Sequence, residues 1–322
     1  MPALENTPAQ IRQRGSSADN GASRDLNYPP LPAALTVGIY DNHTHLDIAA
    51  GDGLLGYREQ LDRASSVGVR GVVQVGVDLE TSRWAAEMAA REPRMLAAVA
   101  IHPNEAPRYQ AAGELDEALA EINLLAARPR VRAVGETGLD FFRTGSDGHA
   151  AQYRSFEAHI GIAKKHDLAL QIHDRDAHAE VLLTLARCGA PERTVFHCFS
   201  GDAEMARLCA DNGWYLSFSG TVSFKNAENL REALAAIPRS QILIETDAPY
   251  LTPIPYRGRP NAPYLLPTTL RFMADYLQTD VALLAAQITS NTELVYGSWE
   301  AEPVTSERGT AFEATIDSAE IA

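Results

Sequence analysis

The chain has 322 residues, 45% hydrophobic, 22% charged and 7% aromatic, which is ordinary globular composition. Its formal charge of −14, from 28 basic and 42 acidic residues, argues against a broad basic face that coats nucleic acid. A pocket that grips one or two phosphates through metal ions stays open.

No apolar run approaches the ~18 residues of a bilayer span, and no basic-then-apolar leader opens the chain. Cys188, Cys198 and Cys209 form no C-x-x-C pair and are odd in number, so no disulfide framework is expected. A cytoplasmic protein away from the membrane is the expectation. Residues 1–35 are rich in Ala, Pro, Ser, Gly and Asn without a helical or strand period, and the Pro-rich run at 28–32 reads as extended linker. This stretch is expected to be a disordered tail. From residue 301 on, five acids, one arginine and few apolar residues predict a second, acidic tail.

Between the tails, short apolar runs alternate with Ala/Leu/Glu/Arg-rich stretches. Strands are predicted at 36–40, 71–77, 95–101, 131–136, 168–173, 194–197, 215–219 and 241–246. Helices are predicted at 58–67, 81–91, 114–127, 152–166, 177–187, 203–212 and 227–237. Near-continuous apolar strands separated by helices indicate a parallel sheet covered by helices. Eight such units over residues 36–300 match a (β/α)8 TIM-type barrel. An open doubly wound sheet is the alternative, and it would lack closure between the first and last strands.

Chemistry sits where these strands end. The first runs into Asp41-Asn42-His43-Thr44-His45, the third into His102, the fourth into Glu136 and Asp140. The fifth ends at His173-Asp174-Arg175, the sixth at His197, and the eighth at Glu245-Thr246-Asp247. A spacing of two sends His43 and His45 to one face of a strand. In a parallel barrel all C-terminal strand ends surround one mouth, so Glu136, His173, His197 and Asp247 can join them. Four imidazoles and two carboxylates suit Zn²⁺ or Mn²⁺ and suffice for two ions, with one carboxylate able to bridge. A single histidine on an apolar segment is usually a hydrogen-bonded structural residue. Six ligand-capable groups at one barrel end are another matter, because burying them is costly unless something binds them. Asp140 could merely brace the loop after the fourth strand. Glu245, two residues before Asp247, is expected one layer deeper and paired, with Arg257 favoured over Arg132 as its cation.

The stretches DNHTHLD, IHPNEA, GETGLDFF, QIHDRDA, FHCFSG and ETDAPYLTP, in this order, resemble the TatD family of metal-dependent deoxyribonucleases over roughly residues 36–298. The resemblance implies a metal-dependent hydrolase barrel with two divalent ions (Mg, Mn or Zn) and a DNA, possibly RNA, substrate. Position by position, it implies that His43, His45, Glu136 and Asp247 hold one ion. Glu136 would bridge to a second, held also by His173 and His197, while His102 and Arg175 would face the scissile phosphate. Two departures stand out: Ala262 where the family usually has an acid, and Asn104 where a second histidine is frequent. The expected activity is phosphodiester hydrolysis, 3′→5′ by resemblance, with Asp247 orienting the attacking water or taking its proton. Arg175 and His102 would meet the phosphate charge, unless Arg175 is instead salt-bridged to Asp174 or Asp176. The alternatives are an amidohydrolase-like or D-aminoacyl-tRNA ester hydrolase and, last, a non-catalytic partner in nucleic-acid repair. A monomer is expected.

Overall fold

The computed structural model describes residues 12–15, 24–52 and 55–299. Eight parallel strands form one sheet: β2 (Ile39–Thr44), β4 (Val69–Val75), β5 (Met95–Val99), β6 (Val131–Asp140), β7 (Ala169–Arg175), β8 (Thr194–Phe196), β9 (Tyr215–Phe218) and β10 (Ile242–Ile244). They neighbour one another in chain order, from β2 through to β10. β1 (Arg12–Gln13) and β3 (Ile48–Ala49) make a separate parallel pair.

The ring closes between its first and last strands. Thr44 bridges Ala248 in parallel, Asp247 N donates to the His43 carbonyl (2.9 Å) and His45 N donates to the Ala248 carbonyl (2.8 Å). Side chains hold the same seam: Asn42 Nδ2 donates to the Ile244 carbonyl (2.7 Å), and Thr246 N and Oγ1 donate to the Asp41 carboxylate (2.9 and 2.5 Å). Asp41 is fully buried, and that burial pushes its carboxyl up to about 8 against the pull of the Thr246 bonds. The open-sheet alternative is excluded by this closure.

Two apolar layers follow from the strand period of two. Outward-facing residues such as Val72, Val99 and Ile172 pack under the surrounding helices α1 (Tyr57–Ser66), α2 (Leu79–Arg91), α4 (Leu115–Leu125), α5 (His149–His166), α6 (His178–Cys188), α7 (Ala203–Asp211) and α8 (Glu228–Ala236). Inward-facing Val73, Ala98, Ala133, Ala169 and Val195 are small and fill the ring, which Tyr40, Tyr296 and Trp299 plug from the N-terminal end. Trp299 stacks on Tyr40 (ring centroids 4.1 Å) and donates from Nε1 to the Val72 carbonyl (3.3 Å). Gly71 is required there, since a Cβ would stand 2.5 Å from the indole. Trp299→Phe is therefore expected to cost about 1–2 kcal/mol, from one hydrogen bond and lost contact area. A lowered urea midpoint at unchanged slope checks it, and an unmoved midpoint refutes it.

Three helices were not predicted: α3 (Ala106–Ala112), α9 (Leu266–Tyr276) and α10 (Val281–Tyr296). The N-terminal boundary also needs correction. Residues 24–35, expected in a disordered tail, are extended but docked on the barrel. Tyr264 Oη donates to the Pro29 carbonyl (2.6 Å), Arg259 to Asn27 and Tyr28 (both 2.9 Å), and Arg271 to Ala33 (2.7 Å). An extended Pro-rich backbone leaves its carbonyls free, and arginines of the barrel satisfy them. Residues 12–15 pair with the loop after β2. The acidic tail expected from 301 lies outside the described residues. Among those described, no helix is long and apolar enough to cross a membrane.

Candidate metal centre

The mouth is built from strand ends, and two irregularities aim the side chains. In β2 the two residues between Asp41 and Thr44 oppose one on β4, and in β6 the two residues between Val134 and Thr137 oppose one on β7. Each is a bulge, which re-aims the side chains around it. The first sets His43 and His45 and the second sets Glu136. Gly138 (φ +137°) lets β6 approach the His173 carbonyl more closely than a side chain would allow.

The six residues expected as ligands converge. His43 Nε2 and His45 Nε2 are 3.2 Å apart. His45 Nε2 lies 3.4 Å from Asp247 Oδ1, and His43 Nε2 lies 3.5 Å from Glu136 Oε2. The other Glu136 oxygen, Oε1, meets His173 Nδ1 at 2.6 Å, His197 Nε2 at 2.8 Å and His102 Nε2 at 3.3 Å. Glu136 thus stands between two groups of imidazoles. Among the described residues, three ligand sets arise with donor atoms within 4.8 Å of one another: His43, His45 and Asp247; His43, Glu136 and His197; His102, Glu136 and His173.

The donors fit divalent cations. His45 Nδ1 bonds the Val75 carbonyl (3.0 Å) and His197 Nδ1 bonds Glu245 Oε1 (3.2 Å), so in either ring, when neutral, the inward Nε2 presents its lone pair. Fixing a ligand's tautomer through its outer nitrogen is how metal-binding histidines are held. Electrostatics agree. Burial pushes Glu136 up, but the surrounding imidazoles, His197 and His102 foremost, outweigh it and hold the carboxyl well below its ordinary range. Burial likewise disfavours charge on His197, yet Glu136 and Glu245 raise it well above the usual imidazole value. His45 and His173 are raised against burial by Asp247 and by Asp140 with Glu136, respectively. Burial and neighbouring imidazoles lower His43 and His102.

Asp140 does more than brace a loop. Its Oδ1 accepts from the backbone N–H of Phe142 and Arg143 (3.1 and 2.8 Å), and its Oδ2 from Asn104 Nδ2 (2.8 Å), 3.2 Å from His173 Nε2. The departure at Asn104 is therefore accommodated by hydrogen bonds to Asp140 and from Thr144 (2.8 Å). Ala262 is fully buried in the core, and Asn261 holds that loop by donating to the Thr246 and Tyr250 carbonyls (2.9 and 2.7 Å).

Glu245 is fully buried and paired, but not with an arginine. Its Oε1 accepts from Cys198 N (2.8 Å) and contacts His197 Nδ1. Arg257 lies over the Phe224 ring (4.2 Å) and Arg132 bonds the Pro129 carbonyl. The expectation failed because β10 ends at Ile244, so strand parity no longer governs positions 245 and 247. Arg175, at the end of β7, lies over the Phe142 ring at 4.0 Å. Among the described residues it makes no ion pair; Asp174 is bonded by His178 Nδ1 instead (2.8 Å). His159 is structural: it accepts from Ile101 N (3.1 Å), and burial lowers it to about 4.

A family model described as "TatD related DNase" matches residues 40–297. A relative from Mycobacterium tuberculosis, named an uncharacterized metal-dependent hydrolase TatD, is 46% identical over 263 residues, 80% of this chain and 98% of its own length. An Escherichia fergusonii protein named 3'-5' ssDNA/RNA exonuclease TatD is 37% identical, over 73% of this chain and 90% of its own. Among solved structures, the TatD homologue YJJV of Escherichia coli superposes with a TM-score of 0.72 at 25% identity, covering 81% of this chain and 98% of that one.

Proposed function

The chain belongs to the TatD-related DNases, a family of metal-dependent hydrolases, and from that premise we propose that it hydrolyses phosphodiester bonds of DNA as a 3′→5′ exonuclease. One observation carries the reading: Glu136 stands between two sets of buried imidazoles, an arrangement suited to a carboxylate shared by two cations. His43, His45, Glu136 and Asp247 would hold one ion, and Glu136, His173 and His197 the other. Bound there, such ions supply Lewis-acid charge at the phosphodiester and lower the pKa of a nearby water.

The chain's own groups do the rest. Asp247 Oδ1, only partly buried and 3.4 Å from His45 Nε2, orients the attacking water and takes its proton. His102 Nε2, beside Glu136, can donate to a non-bridging phosphate oxygen. Arg175 meets the charge that builds in the transition state. That it has no carboxylate partner among the described residues favours an anionic substrate over a neutral ester or amide.

Arg175→Ala is expected to lower kcat/KM on phosphodiesters about 30-fold, near 2 kcal/mol for a partly buried guanidinium. Metal content should stay unchanged by elemental analysis. Equal kinetics would leave Arg175 only its stacking on Phe142. The reading as a whole is tested by metal-titrated digestion of 5′- and 3′-end-labelled single- and double-stranded DNA, alongside RNA and acylated substrates. Stepwise loss of 3′ nucleotides is the expected result. Turnover confined to acyl esters overturns it.

A further inference from the structure

We propose that residues 12–15, which lie outside the family match, are part of the substrate-binding wall, with Arg14 as a cationic subsite for the backbone phosphates of a single-stranded polynucleotide. The inference rests on the phosphodiester reading above and extends it to residues beyond the family match.

The segment is anchored in two places. Arg12 N donates to the Asp47 carbonyl (3.1 Å) and Arg14 N to the Ala49 carbonyl (2.8 Å), forming the short β1–β3 pair. Arg12 Nε donates to Asp47 Oδ2 (2.7 Å), while Gln74 Nε2 donates to Oδ1 (2.8 Å). Asp47 is fully buried, so Arg12 neutralises a carboxylate that would be costly to leave alone. This ties the segment to the loop that follows His45. On the other side, Arg14 Nη1 donates to the Pro249 carbonyl, and its guanidinium lies over the Tyr250 ring at 4.5 Å. Tyr250 is edge-on to His45 (ring centroids 6.4 Å), and its backbone N–H donates to the Asp247 carbonyl (2.8 Å). Arg14 is thus one ring removed from the proposed metal ligands.

Topology supplies the second argument. Arg14 sits at the seam between β2 and β10. Arg175 ends β7, which is separated from β10 by β8 and β9 and from β2 by β6, β5 and β4. The two arginines therefore flank the cluster from nearly opposite sides of the mouth. A polyanion laid across the centre meets a cation on each side, and in a chain of net charge −14 such local cations are what bring it in. A guanidinium held over a tyrosine ring is a fixed cation of the kind that tracks the backbone of a single strand.

The test uses the full-length protein loaded with Mn²⁺ for kinetics and treated with EDTA for binding. Arg14→Ala should raise KM for a 12-nucleotide single strand about 10-fold with kcat unchanged. The salt dependence of binding should flatten by about one unit of log–log slope. Turnover of bis-(p-nitrophenyl) phosphate, which has a single phosphate and no strand to lay along the wall, should change less than that of the oligonucleotide, and Arg14→Lys should recover most of the lost affinity. Arg70→Ala is the matched control: Arg70 also lies over a tyrosine ring (Tyr40, 4.9 Å), but at the opposite end of the barrel. Equal oligonucleotide affinity and salt slope in wild type and Arg14→Ala, read by fluorescence anisotropy without turnover, overturn the subsite whatever the cleavage assay shows. Oligonucleotide bound through Arg14 but never cleaved overturns the nuclease reading and leaves the subsite standing.

Discussion

Glu136→Gln is expected to lower turnover at least about 1000-fold, some 4 kcal/mol of barrier, without unfolding the protein. Both carboxylate oxygens are engaged: Oε1 faces His173, His197 and His102 at 2.6, 2.8 and 3.3 Å, and Oε2 faces His43 at 3.5 Å. The amide keeps the volume but loses the charge, and it turns an NH2 toward nitrogens whose lone pairs point inward. A shared ligand is removed from both proposed cation positions at once, so elemental analysis should show depleted metal. Near-native circular dichroism separates this from simple loss of structure. A variant retaining a tenth of wild-type kcat with its metal intact would show that Glu136 is not a shared ligand.

Chelation is the second large effect. Treatment with EDTA followed by gel filtration should abolish activity and lower Tm by several degrees, and both should return with Mn²⁺, Zn²⁺ or Mg²⁺. A ligand that binds only the folded chain stabilises it by about 2.7 kcal/mol at a hundred times its Kd. Protons compete for the same nitrogens. Glu136 and Glu245 raise His197 well above the ordinary imidazole value, so metal affinity should fall as pH drops through that raised value. Recovery of full activity in protein shown to contain no divalent metal would sink the assignment.

Much of the barrel is legible in the chain because most strands are apolar runs that end in polar residues. The predicted run at 71–77 is β4 at Val69–Val75, displaced because exposed Arg70 disguises its start. The convergence of His43, His45, Glu136, His173, His197 and Asp247 follows from parallel strands ending at one mouth. Finer placement does not. Parity from Asp247 to Glu245 fails beyond Ile244, where the chain leaves extended geometry, so the partner of Glu245 could not be read. The linkage from Asn104 through Asp140 to His173 joins the loop after β5 to the ends of β6 and β7, and no local pattern announces it. Helix α3 has only seven residues, and α10 is apolar on nearly every side, so neither gives a clear amphipathic period. The docking of residues 24–35 depends on arginines more than 200 positions away.

The seam between β2 and β10 has a consequence for how activity arises in time. His43 and His45 are made early, whereas Asp247 and the strand that closes the ring follow about 200 residues later. Closing so long a loop comes late, because its entropy must be lost before its contacts form. The proposed metal centre is therefore completed late: a nascent chain still lacking β10 has the imidazoles but no closed mouth. Hydrolytic power is withheld until synthesis has passed the eighth barrel strand.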